Sequence, residues 1–207
     1  MRLGIFGGTF DPPHLGHTRL ALFTLSEKNL DKIIFVPAFH APYPDKSAST
    51  SFDHRFRMTE LAVRKQLRFE TSSVEGERGG NSYTIDTIRH FKKKYRLSSG
   101  EIFLIVGADS FKRFDEWKDP KALLVECSVC VLKRIGAEIE FTKDSFGEFD
   151  QGDIAKVELL DNELIETSSS DLRERIGSGI DMTKYLDDKV LGYIRRNRLY
   201  GSGQGKL

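Results

Sequence analysis

Apolar and polar positions along this chain alternate between a strand period and a helix period almost from end to end. Residues 2–6 form a short apolar run, the pattern of a buried strand. Asp11 before Pro12-Pro13 reads as a helix N-cap with the prolines in the first turn, so a helix opens near His14 and runs over about residues 18–28. Residues 32–37 (KIIFVP) are a β-branched run closed by proline, and residues 38–52, rich in Pro, Ser and Ala, read as a loop. Residues 53–65 are amphipathic, with Met58, Leu61 and Ala62 on one side. A weaker strand follows at 68–74, then a polar glycine loop at 75–81. Residues 83–95 form a helix with Ile85, Ile88, Phe91 and Tyr95 inward, and 102–106 is the most apolar strand. A short helix at 120–126, strands at 128–133 and 156–160, and helices at 169–176 and 187–197 complete the pattern. Residues 136–156 mix glycine and acids without a period, and no internal repeat is visible. Alternating β and α segments predict an α/β fold: a single doubly wound, Rossmann-like parallel sheet with a small C-terminal helical portion. Residues 1–200 are expected to form that one domain and 201–207 a flexible tail. Ligands of such a sheet bind beyond the carboxyl ends of its strands.

Composition narrows the function classes. A chain of 207 residues can bury an ample core. Its 32 basic and 31 acidic residues leave a net charge of +1, so no bulk field argues for nucleic acid or a membrane surface. No signal peptide and no membrane-length apolar run is present, which predicts a cytoplasmic protein. The two cysteines, Cys127 and Cys130, form one C-x-x-C pair, too few ligands for a zinc site. Their odd separation along a strand sends them to opposite faces, as buried thiols. The basic runs at 92–94 and 195–198 read as solvated helix faces.

Chemistry concentrates in the stretch Gly4-Ile-Phe-Gly-Gly-Thr-Phe-Asp-Pro-Pro-His-Leu-Gly-His17. A strand, a glycine turn at Gly7 and Gly8, and a helix N-terminus together make an anion site. His14 and His17 share one helix face and can reach a single phosphate, with Gly16 removing a side chain between them. A glycine-rich turn holding two surface histidines is the alternative for an isolated H-x-G-H; the preceding strand and G-G-T-F-D-P argue against it. Further segments at strand ends carry comparable residue types. Ser82 and Asp86 fit a helix start, which leaves Tyr83 and Thr84 unexplained. Asp109, just past the most apolar strand, is either another cap or a group for a ribose hydroxyl or Mg²⁺. Ser168, Ser169 and Ser170 are more hydroxyls than one cap needs, and with Arg173 a turn later they suggest a second phosphate cradle.

The run G-G-T-F-D-P-P-H-L-G-H resembles the signature of the H-x-G-H nucleotidyltransferases, in the form typical of bacterial nicotinate mononucleotide adenylyltransferases. Residues 82–87 are similar to that family's S-Y-T-x-D-T segment. Ser168, Ser169 and Arg173 align with its S-S-T-x-I-R segment, with Ser170 where threonine is usual. The resemblance implies a nucleotidyltransferase domain that transfers the adenylyl group of ATP to nicotinate mononucleotide in NAD biosynthesis, releasing pyrophosphate. It implies that His14, His17 and Arg173 are catalytic. Gly7, Gly8, Thr9, Phe10, Asp109, Arg134, Ser168, Ser169 and Ser170 would bind ATP. Tyr83, Thr84, Trp117 and Lys46 would bind the acceptor, with the only tryptophan stacked on the nicotinate ring. Mg²⁺ would arrive on the ATP phosphates, with no metal held by the protein's own residues. The implied partners are ATP and nicotinate mononucleotide, without nucleic acid or membrane; self-association is left open. One departure stands out. The family's P-P-H-K loop reads here Pro37-Ala-Phe-His-Ala-Pro-Tyr-Pro-Asp-Lys46, in which neither His40 nor Lys46 aligns without a gap. Phosphopantetheine adenylyltransferases and cytidylyltransferases share H-x-G-H and the serine–arginine helix, but neither predicts Ser82-Tyr83-Thr84 together with Trp117. The altered loop also leaves a non-catalytic nucleotide sensor as an alternative.

Overall fold

The computed structural model describes residues 1–43, 47–135, 149, 151–178 and 180–202. Its centre is a six-stranded sheet built from β1 (Leu3–Gly8), β2 (Lys32–Pro37), β3 (Phe69–Thr71), β4 (Ile102–Gly107), β5 (Ser128–Leu132) and β6 (Val157–Leu160). The strands lie in the order β3-β2-β1-β4-β5-β6, every neighbouring pair parallel. The order in which strands are added therefore reverses between β1 and β4, which is where a doubly wound sheet opens its ligand crevice.

Each central strand is apolar at nearly every position because both of its faces are covered. Leu3, Ile5, Ile34, Val36, Leu104, Val106, Val129 and Val131 form one buried face under α4 (Thr84–Tyr95) and α6 (Pro120–Glu126). Phe6, Ile33, Phe35, Phe103, Ile105 and Leu132 form the other, under Ala21 and Leu25 of α1 (Leu15–Glu27). Cys127 falls in the first cluster and Cys130 in the second, as the odd spacing predicts. Both are free, and burial pushes each thiol up to about 12, leaving almost no thiolate at neutral pH. A third cluster joins Met58 of α2 (Phe52–Val63) to Leu172 and Ile176 of α8 (Ser169–Ile176) and to Val190, Leu191 and Ile194 of α9 (Asp188–Arg196). That cluster is the C-terminal helical portion, held against the sheet's flank through α2.

Three local expectations differ from what is observed. The weaker strand shrinks to β3, and the polar loop after it contains the short helix α3 (Val74–Arg78). Burial explains that helix: Val74 joins the core, and Glu75 accepts a 2.6 Å hydrogen bond from the Thr87 hydroxyl. Gly79 and Gly80, at φ 67° and 68°, then end it in a conformation that glycine adopts without strain. Finally, Tyr83 rather than Ser82 precedes α4; the Ser82 hydroxyl instead accepts from the Phe39 N–H at 2.8 Å. Of the insert at 136–156, the described part holds α7 (Gln151–Ile154). Among the described residues no helix is long and apolar enough to cross a membrane.

Candidate active site

A cleft of about 630 Å³ lies across the carboxyl ends of β1 and β4. All the residues given a catalytic or binding role from the sequence line it, except Lys46, which lies outside the described residues. His40 does not line it; its backbone bridges to Asn81, and its ring lies 4.3 Å from that of Phe39.

The glycine run works differently from the sharp turn expected of it. Gly7 and Gly8 remain extended in β1, paired with Val36 and Pro37. The left-handed residue is Phe10, at φ 51°. Its ring is buried against Phe6, Phe35 and His17, and that packing offsets the backbone strain. A Cβ at Gly8 would sit 3.1 Å from the Phe10 ring, so any side chain there would crowd it. Gly7 has nothing within 4 Å of its missing Cβ, so its backbone is open to the cleft.

Helix α1 starts at Leu15 with His14 as the preceding cap residue, so Asp11 is not its N-cap. Asp11 instead accepts four hydrogen bonds: from Ser49 N at 2.6 Å, Ser49 Oγ at 2.8 Å, Thr50 Oγ1 at 2.6 Å and the Tyr200 hydroxyl at 2.6 Å. Four donors around one carboxylate outweigh the one or two a helix end would supply. Burial opposes ionisation of Asp11, but the bonds from Thr50, Tyr200 and Ser49 prevail and hold it below its ordinary value.

The two histidine rings pack at a 31° tilt, centroids 3.7 Å apart. The His14 N–H donates to His17 Nδ1 at 3.1 Å, which places the proton of a neutral His17 on Nε2. Burial and then the Arg134 guanidinium hold His17 down to about 3. Burial, His17 and Arg134 lower His14 in the same way. Both rings are thus neutral donors at physiological pH. His14 is buried, and neither of its ring nitrogens has a partner. An unpaired buried imidazole facing a cleft marks a place where a ligand completes the bonding. A Cβ on Gly16 would stand 2.8 Å from His14 Nδ1, so only glycine leaves this ring where it is.

Facing the histidines is the start of α8. Ser168 Oγ accepts from Asp171 N at 3.1 Å as a true N-cap, and Ser169 Oγ donates to the Pro12 carbonyl at 2.9 Å. Arg173 donates to the Asp11 carbonyl at 2.8 Å and to Ser170 Oγ at 3.2 Å. Arg134 donates to Asp109 at 3.0 Å, so this carboxylate holds a guanidinium; it lies in the first turn of α5 (Ala108–Phe111), whose cap residue is Gly107. On the other side of the cleft are Tyr83, Thr84 and the half-buried Trp117, whose ring lies 5.4 Å from that of Phe114. Lys118 stands 4.6 Å over the Tyr83 ring and donates to Asp86 at 3.2 Å.

Sequence reasoning missed Arg55. It is 2 % exposed and donates to four carbonyls: Thr9 at 2.9 Å, Ala38 at 2.6 Å, Phe39 at 3.2 Å and Thr50 at 3.3 Å. It thereby ties the β1 loop to the β2 loop beneath the cleft. The available signal was its spacing: three residues before Met58, a cation on the inward face of α2.

The chain is similar over nearly its whole length to known proteins. The cytidylyltransferase-like family model matches residues 5–175. A Citrifermentans bemidjiense protein named "Probable nicotinate-nucleotide adenylyltransferase" is 37 % identical over 214 residues, covering 97 % of this chain and 98 % of its own. A Thermoanaerobacter protein of the same name is 38 % identical over 203 residues, covering 97 % and 94 %. The structure of Plasmodium falciparum nicotinic acid mononucleotide adenylyltransferase complexed with NaAD matches with a TM-score of 0.73 over 96 % of this chain and 97 % of that one. At 20 % identity, that likeness is one of fold.

Proposed function

The chain belongs to the cytidylyltransferase-like family and, within it, to the nicotinate-nucleotide adenylyltransferases, and from that membership we infer the reaction and the roles of its site residues. The enzyme transfers the adenylyl group of ATP to nicotinate mononucleotide, forming nicotinate adenine dinucleotide and pyrophosphate. The observation that carries the assignment of roles is the neutral, closely packed His14–His17 pair at the end of β1, with His14 buried and unpartnered.

In this reading an oxygen of the acceptor's 5′-phosphate attacks the α-phosphorus of ATP. The bond from that phosphorus to the oxygen bridging it to the β-phosphate breaks, and its electron pair leaves with pyrophosphate. No covalent enzyme intermediate is needed, so positioning and charge stabilisation carry the rate. His17 donates Nε2–H to the oxygen that gains charge, and His14 donates beside it. Open backbone at Gly7, together with Gly8, Thr9 and Phe10, lines the triphosphate. Ser168, Ser169, Ser170, Arg134 and Arg173 close the cradle from the opposite side. The Arg173 bond to the Asp11 carbonyl supports its role, because it fixes where the remaining guanidinium N–H groups point. Asp109, paired with Arg134, sets that guanidinium's position. Mg²⁺ would ride on the oxygens of the triphosphate itself, whose charge it offsets. The free, buried thiols fit a cytoplasmic setting.

Pyrophosphate release from ATP, with nicotinate mononucleotide, nicotinamide mononucleotide and phosphopantetheine as competing acceptors, tests the reading. The acid mononucleotide is expected to exceed the amide in kcat/KM by at least tenfold. N–H donors that suit the acid's carboxylate would face the amide's own NH₂, and mispaired buried groups cost about 1–3 kcal/mol each. Equal efficiency with the two mononucleotides would overturn the nicotinate assignment, and turnover of phosphopantetheine alone would move the chain to another branch.

Trp117→Ala is expected to raise KM for nicotinate mononucleotide at least fivefold while KM for ATP stays within twofold. Stacking a base-like ring on an aromatic side chain contributes roughly 1–3 kcal/mol. Normal kinetics with a lowered melting temperature would instead make Trp117 a packing partner of Phe114 and nothing more.

A further inference from the structure

The chain's last described turn, Leu199–Gly201, comes back to the catalytic loop. Arg198, Tyr200 and Gly201 have φ of 52°, 56° and 73°, so two non-glycine residues are held in a conformation they adopt only at a cost. That backbone aims the Tyr200 hydroxyl at Asp11 Oδ1, 2.6 Å away across 189 residues of sequence. The partner is an ionised carboxylate, which makes this a charge-assisted hydrogen bond and a strong one. The same oxygen accepts from Thr50, the other accepts twice from Ser49, and the Asp11 carbonyl accepts from Arg173. One residue, three before His14, is therefore gripped by the loop after β2, by α8 and by the C-terminal turn.

We infer that Tyr200 is a positioning residue for adenylyl transfer: its phenol fixes Asp11, and through Asp11 the backbone that presents His14 and the anchor on which Arg173 is set. Tyr200 also packs against the third hydrophobic cluster, a role that would not need its hydroxyl. Here the hydroxyl lies on the active-site loop. The inference rests on the adenylyl-transfer reading above.

The test is Tyr200→Phe in the full-length protein, with kcat and both KM values from pyrophosphate release. Displacing a catalytic group by a fraction of an ångström costs about tenfold or more in rate. The expected result is a fall of about tenfold in kcat and a rise in KM for ATP. KM for nicotinate mononucleotide, bound on the Trp117 side, should stay within about twofold. A packing role would lower the melting temperature and leave that split absent. In an Asp11→Ala background (Asp11→Asn if the alanine variant does not fold), Tyr200→Phe should cause no further loss, because the two act as one unit. Kinetics within twofold of wild type for Tyr200→Phe, or an additive loss in the double variant, would overturn the inference. A wild-type enzyme inactive with nicotinate mononucleotide would defeat the proposed function instead, so the two failures are distinct.

Discussion

His17→Ala should lower kcat by about 10²–10³, the usual cost of removing one preorganised donor from developing negative charge. Because that charge appears on the leaving oxygen only in the transition state, kcat and kcat/KM should fall together. Acceptor binding, followed by the fluorescence of Trp117, should survive. Folding at neutral pH should weaken only modestly: alanine is a better helix former than histidine, but Phe10 loses a packing partner and the His14 N–H its acceptor. Acid stability gives a second readout. His17 is held down to about 3 by burial and then by Arg134, so the folded protein refuses a proton that the unfolded chain takes up at about 6.5. The unfolded state therefore binds more protons throughout that window, and stability falls as pH drops through it, by up to about 1.4 kcal/mol per pH unit for this one group. His17→Ala should remove that share of the acid sensitivity while abolishing most of the rate. A variant within about threefold of wild-type kcat, against the hundredfold or more expected, would mean the histidine pair is a binding loop and the chain a nucleotide sensor.

The parts of the site that were legible beforehand are those whose physics is local. β1, the helix after it and the shared face of His14 and His17 follow from spacing within a few residues, and Ser168 caps α8 as its hydroxyl and position require. The opposite faces of Cys127 and Cys130 follow from the strand period alone. What escaped were groups whose partners lie far along the chain. Asp11 followed by two prolines has every mark of an N-cap, yet its donors come from Ser49, Thr50 and Tyr200, and no local pattern announces them. Two adjacent glycines predict a sharp turn at Gly7 and Gly8, yet the left-handed residue is Phe10, where aromatic packing by Phe6, Phe35 and His17 outweighs the cost. α3 was hidden for the same reason, its Glu75 being buried only because Thr87 supplies a partner.

Arg55 shows how much a single tertiary choice can carry, and Arg55→Met should be the most destabilising of these substitutions. Methionine keeps the length and apolar stem but no donor. The carbonyls of Thr9, Ala38, Phe39 and Thr50 would then lose their shared partner. A stranded buried acceptor costs about 1–3 kcal/mol. Against that, burial already pulls the Arg55 guanidinium below its ordinary value, so removing the cation recovers its desolvation cost. Asp11, Tyr200 and Glu75 oppose that lowering, and the two carboxylates would lose a favourable neighbour. With several carbonyls stranded against one cation relieved, the net loss should be about 3 kcal/mol. For a chain of this size that lowers the melting temperature by roughly 6–12 °C. Because Thr9 and Ala38 wall the nucleotide cleft, KM for ATP should rise in the fraction that stays folded. Arg55→Lys should fall in between, since an ammonium keeps the charge but cannot span the same carbonyls with a rigid fork. If Arg55→Met melts within about 2 °C of wild type, less than 1 kcal/mol on this scale, then desolvation of the guanidinium cancels its four hydrogen bonds and the clamp is energetically idle.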